Sequence, residues 1–204
     1  MIKAIFFDFD GVLTPHETGR FTTCDYISKK ESIDFEKIKS CYKKFNRNLN
    51  IGKITHEEMW GEFCICIGKK LNINILNEAF EATPSNDPIY ELALTLKKRY
   101  KIGIITDNKK DRMEVIQNKF ELDKLFDIII LSADLGFEKD SKELFESALN
   151  RLNVKPEECI FIDNNMNNLE VPRKIGFKTI FYNHKINDVK LLEKQLMKFG
   201  IAID

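Results

Sequence analysis

The sequence has no excess of charge of either sign. Lys and Arg together number 32, and so do Asp and Glu. That balance gives no reason to expect nucleic acid or an anionic membrane surface as a partner. An apolar run of the ~20 residues needed to cross a bilayer is also missing, and the opening residues read as a strand with one Lys, not as a secretory leader. Internal repeats, low-complexity tracts and flexible linkers are absent. Cysteine is sparse and odd in number, with Cys24, Cys41, Cys64, Cys66 and Cys159 lying mostly in helical, half-apolar contexts. Cys64 and Cys66 are two apart and so sit on different faces of a helix, a spacing that suits neither a zinc knuckle nor a redox pair. The expectation is reduced thiols in a cytoplasmic protein. A chain of 204 residues can build one substantial core, or a core and a small accessory domain.

What is present begins with Ile2-Lys3-Ala4-Ile5-Phe6-Phe7-Asp8-Phe9-Asp10-Gly11-Val12-Leu13-Thr14. Apolar residues run almost unbroken from Ile2 to Phe9, too few for an ordinary helix and rich in β-branched and aromatic side chains, as in a strand buried on both faces of a parallel sheet. Asp8 and Asp10 follow at its C-terminal end, where ligands sit in open α/β sheets. Two acids two residues apart point the same way, and their repulsion calls for a cation or a shared proton. A solvated turn would use the same residue types, but not directly against Phe6, Phe7 and Phe9.

From 15 to 85 the periodicity is helical. Asp34 is placed to cap a helix over 35–46, and Thr55 with Glu58 forms a capping-box pattern ahead of a helix over 55–71, with a shorter one near 75–80. Met59, Trp60 and Phe63 form an apolar stripe that is either core or the wall of a ligand pocket. After 86, helices and strands alternate. Asp87-Pro88 reads as N-cap and N1 of a helix to about 100. Strands are expected at 101–106, 127–132, 159–163 and 178–182, separated by helices, with a last helix over 189–199. Strands linked by helical crossovers require a parallel sheet with right-handed connections. The expected architecture is therefore α/β: a Rossmann-like doubly wound parallel sheet from 1–14 and 86–204, with 15–85 inserted as an all-helical cap. At the end of the 101–106 strand, the Thr106 hydroxyl and the backbone N–H groups around Asp107 favour an anion, although an ordinary N-cap uses the same groups.

Asp8-Phe9-Asp10-Gly11-Val12-Leu13-Thr14 resembles the first motif of the haloacid dehalogenase (HAD) superfamily, hydrolases that work mostly on phosphate esters. The resemblance implies that Asp8 is the nucleophile, forming an aspartyl-phosphate, and that Asp10 is the general acid/base. Gly103 to Asn108 is similar to the second motif, which implies that Thr106 and the N–H of Asp107 hold phosphate oxygens. The stretch from Gly136 to Phe145 is similar to the third-motif region, which puts Lys139 in the place of the phosphate-neutralising Lys. Asp140 stands where the family usually has Pro, and Lys142 is the competing Lys. Ile160 to Leu169 resembles the fourth motif, with Asp163 at the first position of the acidic pair and Asn164 where the family normally has a magnesium-binding Asp. The implied Mg²⁺ ligands are Asp8, the main-chain carbonyl of Asp10, Asp163 and Asn164, with Asn168 orienting them or capping a helix. An Asn carbonyl can fill one vertex of the octahedron that Mg²⁺ demands, but it brings no charge.

The resemblance implies a Mg²⁺-dependent phosphomonoester hydrolase acting on a small phosphorylated metabolite. The alternatives are a weakly active or non-catalytic binding or regulatory relative, on account of Asn164, and a sugar phosphomutase. Asp10 argues against dehalogenation, because that branch has no acid at this place. His16, two residues past the motif, falls either in a cap–core cleft or in an exposed turn. Oligomeric state is not legible.

Overall fold

In a computed structural model, which describes residues 1–203, five strands form one parallel sheet in the order β3-β2-β1-β4-β5. They are β1 (Ala4–Phe7), β2 (Lys101–Thr106), β3 (Ile128–Leu131), β4 (Cys159–Asp163) and β5 (Lys178–Phe181). The first strand is central, with Phe6 opposite Gly103 on one side and Phe161 on the other. Alternation along the strands feeds two cores. Ile5, Phe7, Ile102, Ile104, Ile160 and Ile162 pack under α6 (Asp87–Lys97), α7 (Lys110–Phe120) and α12 (Val189–Lys198). Ala4, Phe6, Ile105 and Phe161 face α10 (Lys142–Leu152) and α11 (Glu170–Ile175). Both faces are covered, which is why the strands read as continuous apolar runs. Two one-turn helices, α8 (Leu122–Leu125) and α9 (Ser132–Leu135), complete this part.

Between β1 and α6 lie α1 (Gly19–Glu31), α2 (Phe35–Lys43), α3 (Asn46–Asn50), α4 (His56–Ile67) and α5 (Asn74–Glu81). They share their own apolar cluster, in which Ile27, Ile38, Tyr42, Trp60, Phe63 and Phe80 are buried. Asp34 caps α2, and the Thr55–Glu58 capping box is complete. Helix α1 was not visible in the sequence pattern. Its buried face consists of Gly19, Thr22, Thr23, Cys24 and Ile27, too few large apolar residues to mark a period. The helix expected over 35–46 stops at Lys43 and restarts as α3, and Asn86, not Asp87, holds the cap position of α6.

The expectation of reduced cysteines fails for one pair. Cys41 on α2 and Cys66 on α4 are joined by a disulfide, with Cα atoms 5.8 Å apart. The spacing of Cys64 and Cys66 reflects one helix only, whereas this bond depends on two helices packing together. Cys24, Cys64 and Cys159 are free. Among the described residues no helix is long and apolar enough to cross a membrane.

Candidate active site

The turn after β1 is built around Gly11. Its φ is +80°, and a Cβ there would lie 2.1 Å from Asn164 Nδ2, so only glycine fits both the left-handed backbone and the close approach. Asp8 caps the turn, accepting from the Phe9 N–H at 2.7 Å. Asp8 and Asp10 are both more than nine-tenths buried. They nevertheless face different partners.

Asp8 Oδ1 meets Lys139 Nζ at 2.7 Å, and the same ammonium meets Asp163 Oδ2 at 2.8 Å. Asp163 is fully engaged, since its oxygens also accept from the Asn165 N–H at 2.7 Å and from Asn168 Nδ2 at 3.1 and 3.2 Å. The Lys139 N–H donates to Asp107 Oδ1 at 3.0 Å, so the tips of β2 and β4, on either side of β1, fix one loop. Burial works against the charge of Lys139, but Asp163 and Asp8 outweigh it and hold the amine well above its ordinary range. Burial and the nearby Asp163 push Asp8 upward despite Lys139, because one ammonium serves two carboxylates in a place with little solvent. Burial likewise lifts Asp107 to about 6.

Asp10 is clamped. Arg112 Nη2 donates to its Oδ1 and Nη1 to its Oδ2, both at 2.8 Å, and Asn108 Nδ2 donates to Oδ2 at 2.9 Å. This is the planar fork-to-fork pairing for which Arg is suited. Gly19 belongs to the same arrangement, for a Cβ there would come 2.3 Å from Arg112 Nη1. The resemblance identified none of Asn108, Lys109 and Arg112. The available signal was Asn108 and Arg112 four apart at the head of a helix beginning at an acidic strand tip.

A cavity of about 190 Å³ opens over these groups, lined on the sheet side by Asp8, Asp10, Thr106, Asp107, Lys139 and Asn164. Thr106 is buried at the end of β2. Lys142 is exposed and pairs with Glu146, away from the cavity. His16 also lies elsewhere, bonding Thr22 Oγ1 at 3.1 Å and packing against Phe21.

Asp8 Oδ2 and Asn164 Oδ1 are side-chain oxygens that accept no hydrogen bond among the described residues, the Asp10 carbonyl lies in the same turn as Asp8, and Asn164 Nδ2 donates to the Glu17 carbonyl at 3.1 Å. Three such oxygens fit Mg²⁺, which binds through one or two carboxylates, substrate oxygens and water. Only one of them carries charge, and among the described residues no group of three or more His, Cys, Asp and Glu side chains is disposed to hold a metal.

A family model for haloacid dehalogenase-like hydrolases matches residues 2–176. The chain belongs to the haloacid dehalogenase-like hydrolases. Relatives of this HAD chain include a pyrophosphatase, PpaX, of Bacillus mycoides, 26% identical over 157 residues, which are 76% of this chain and 60% of the relative. A bifunctional epoxide hydrolase 2 of Mus musculus is 31% identical over 125 residues, 59% of this chain and 23% of the relative. The match thus spans less than two thirds of either. Among solved structures, a HAD family enzyme of Bacteroides thetaiotaomicron in complex with magnesium and inorganic phosphate superposes with a TM-score of 0.71 at 18% identity, covering 90% of this chain and 96% of that one. The L-2-haloacid dehalogenase of Xanthobacter autotrophicus gives 0.66 at 17% identity, covering 88% and 76%. Both show the same fold.

Proposed function

We propose that this HAD hydrolase removes a phosphoryl group from a small phosphorylated metabolite with the help of Mg²⁺, through an aspartyl-phosphate on Asp8. The observation that carries this reading is the buried Asp8–Lys139–Asp163 bridge at the mouth of β1, beside the Thr106 strand tip. A carboxylate cannot approach a phosphate dianion unless nearby positive charge offsets the repulsion. Lys139 supplies that charge within hydrogen-bond reach of the attacking group. Asp163, itself held by Asn168, keeps the ammonium in place, and Thr106 with the backbone at Asp107 offers donors to phosphoryl oxygens. Mg²⁺, when bound, neutralises charge on the phosphoryl oxygens.

The reaction on this chain's residues has two displacements. Asp8 attacks phosphorus and the leaving oxygen departs, taking a proton from Asp10, which must first gain that proton and release one of its two Arg112 contacts. Water then attacks the aspartyl-phosphate, giving its proton to Asp10 and regenerating Asp8 with release of phosphate. Arg112 and Asn108 keep the Asp10 carboxyl oriented between these roles. The small volume of the cavity, below that of pockets for drug-sized ligands, agrees with a small metabolite. The B. thetaiotaomicron enzyme's complex with magnesium and phosphate and the B. mycoides pyrophosphatase support phosphoryl chemistry.

Asn164 favours a second reading, a weakly active or binding relative, because it provides an oxygen without charge at the metal-facing tip of β4. The test is phosphate release from p-nitrophenyl phosphate with and without Mg²⁺. Asp8→Asn is expected to abolish turnover while circular dichroism and melting stay those of the unaltered chain. Release by Asp8→Asn at the unaltered rate overturns the nucleophile assignment.

A further inference from the structure

The cavity has a second end, on the cap side, lined by Arg20, Asn46, Asn50 and Lys109. Four observations there have no explanation within the protein. Lys109 is 4% exposed, yet no carboxylate or other acceptor among the described residues pairs with its ammonium. Its contact is the face of the Tyr42 ring, 6.0 Å from Nζ to the centroid. Arg20 is half-buried and forms no ion pair in the described structure. Asn50 is 6% exposed, and its Nδ2 is spent on Glu138 at 2.7 Å while its Oδ1 is buried with no donor. Asn46 Oδ1 is in the same condition.

Most of the Lys109 side chain is buried while its ammonium opens onto the cavity without a counter-charge, an arrangement that costs folding free energy. With Arg20 on the same cavity wall, it describes a missing anion by its complement, whereas the two Asn oxygens are sealed from the cavity. The arginine that adjoins them, Arg112, is already neutralised by Asp10, so the uncompensated positive charge is that of Lys109 and Arg20. Glu17 also lines the cavity but is exposed at its rim, where solvent screens it. The tyrosine under Lys109 is itself held in place, with its hydroxyl 2.6 Å from His56 Nε2 and His56 Nδ1 2.6 Å from Asp111 Oδ2. The amine therefore rests on a fixed platform. Its position is not that of a surface side chain searching for water.

Building on the phosphoryl-transfer reading, we propose that the substrate is a small phosphate ester whose leaving group bears a second anionic group, received by Lys109 and Arg20. The second anion is a carboxylate or a second phosphate, and either would meet the same pair of cations.

A matched pair of substrates separates the possibilities. Phosphoglycerate and glycerol phosphate share the phosphoryl group and a hydroxyl and differ in a carboxylate against a hydroxymethyl group. Glycerol bisphosphate supplies the phosphate arm. In phosphate release by the full-length protein with Mg²⁺, kcat/KM is expected to be at least tenfold higher for phosphoglycerate or for the bisphosphate than for glycerol phosphate. The arm that wins names the second anion. Lys109→Met should collapse that ratio toward one, largely through KM, and Lys109→Arg should restore most of it. Arg20→Gln, at a half-exposed position, provides the same reading should Lys109→Met fail to fold. Equal kcat/KM across the three esters, or a ratio unmoved by the folded variants, overturns the proposal while leaving the phosphatase reading intact. No release from any ester, p-nitrophenyl phosphate included, overturns both.

Discussion

At the residue scale, Lys109 sits where a lysine is costly. Burial, followed by the neighbouring Arg112, lowers its amine to about 8, with Asp10 partly offsetting this, Arg20 adding to it and Cys24 also facing the group. The unfolded chain therefore binds more protons than the folded one between about pH 8 and the ordinary value of 10.5. Stability from this group rises with pH across that window, and the full penalty is present below it. Replacing Lys109 by Met should raise unfolding free energy at pH 7 by about 1–3 kcal/mol, measured by urea denaturation. With the lysine in place, kcat/KM for a doubly anionic ester should fall as pH passes 8 and the amine loses its charge. The second residue with a sharp expectation is Asn164. Asn164→Asp adds a charge to a site where one carboxylate now faces the ion, and the Mg²⁺ concentration for half-maximal phosphate release should drop by roughly tenfold, about 1.4 kcal/mol. An unchanged Mg²⁺ dependence would mean that the tip of β4 does not contribute to the ion site.

At the element scale, the organising feature is the turn that carries Asp8 and Asp10 out of the central strand. Gly11→Ala meets both a φ of +80° and the Asn164 amide. A loss of about 1–3 kcal/mol is expected, together with reduced phosphate release because Asn164 must move, both measurable on the purified variant. This turn and the strands were legible in the sequence for one physical reason: strands covered on both faces are continuous apolar runs, so the polar residue that ends each run stands out. Thr106, Asp107, Asp163 and Asn164 all stand at or just past such ends. Helix α1 was illegible because it buries threonines and a cysteine. Arg112 and Lys109 were illegible because charged residues in the first turns of a helix ordinarily face water, and only the tertiary placement of Asp10 and Tyr42 gives these two their burial. The Cys41–Cys66 bond was hidden for the same reason, since no spacing in the sequence reports which two helices touch.

At the scale of the whole molecule, the helical segment α1–α5 is fastened to the sheet and its flanking elements at several points. His56 meets Asp111, Lys119 Nζ donates to the Thr83 carbonyl at 2.7 Å, and Arg47 pairs with Asp140 at 3.3 Å. Ser132 Oγ donates to the Asn50 carbonyl at 2.6 Å. Between α2 and α4, the disulfide closes a separation of 25 residues, a span for which loop closure is worth about 3 kcal/mol. Reduction with dithiothreitol should therefore lower the melting temperature by several degrees, and a Cys41→Ser, Cys66→Ser double variant should show the lowered value with or without reductant. The short helix α3 is the point where these fastenings meet the chemistry. Asn50 grips Glu138, next door to Lys139, with its side chain, and is itself gripped by Ser132 through its backbone. Any displacement of α3 would therefore pull on the loop that bears the Lys139 ammonium, so the helical insertion and the charge at the sheet edge are mechanically one piece.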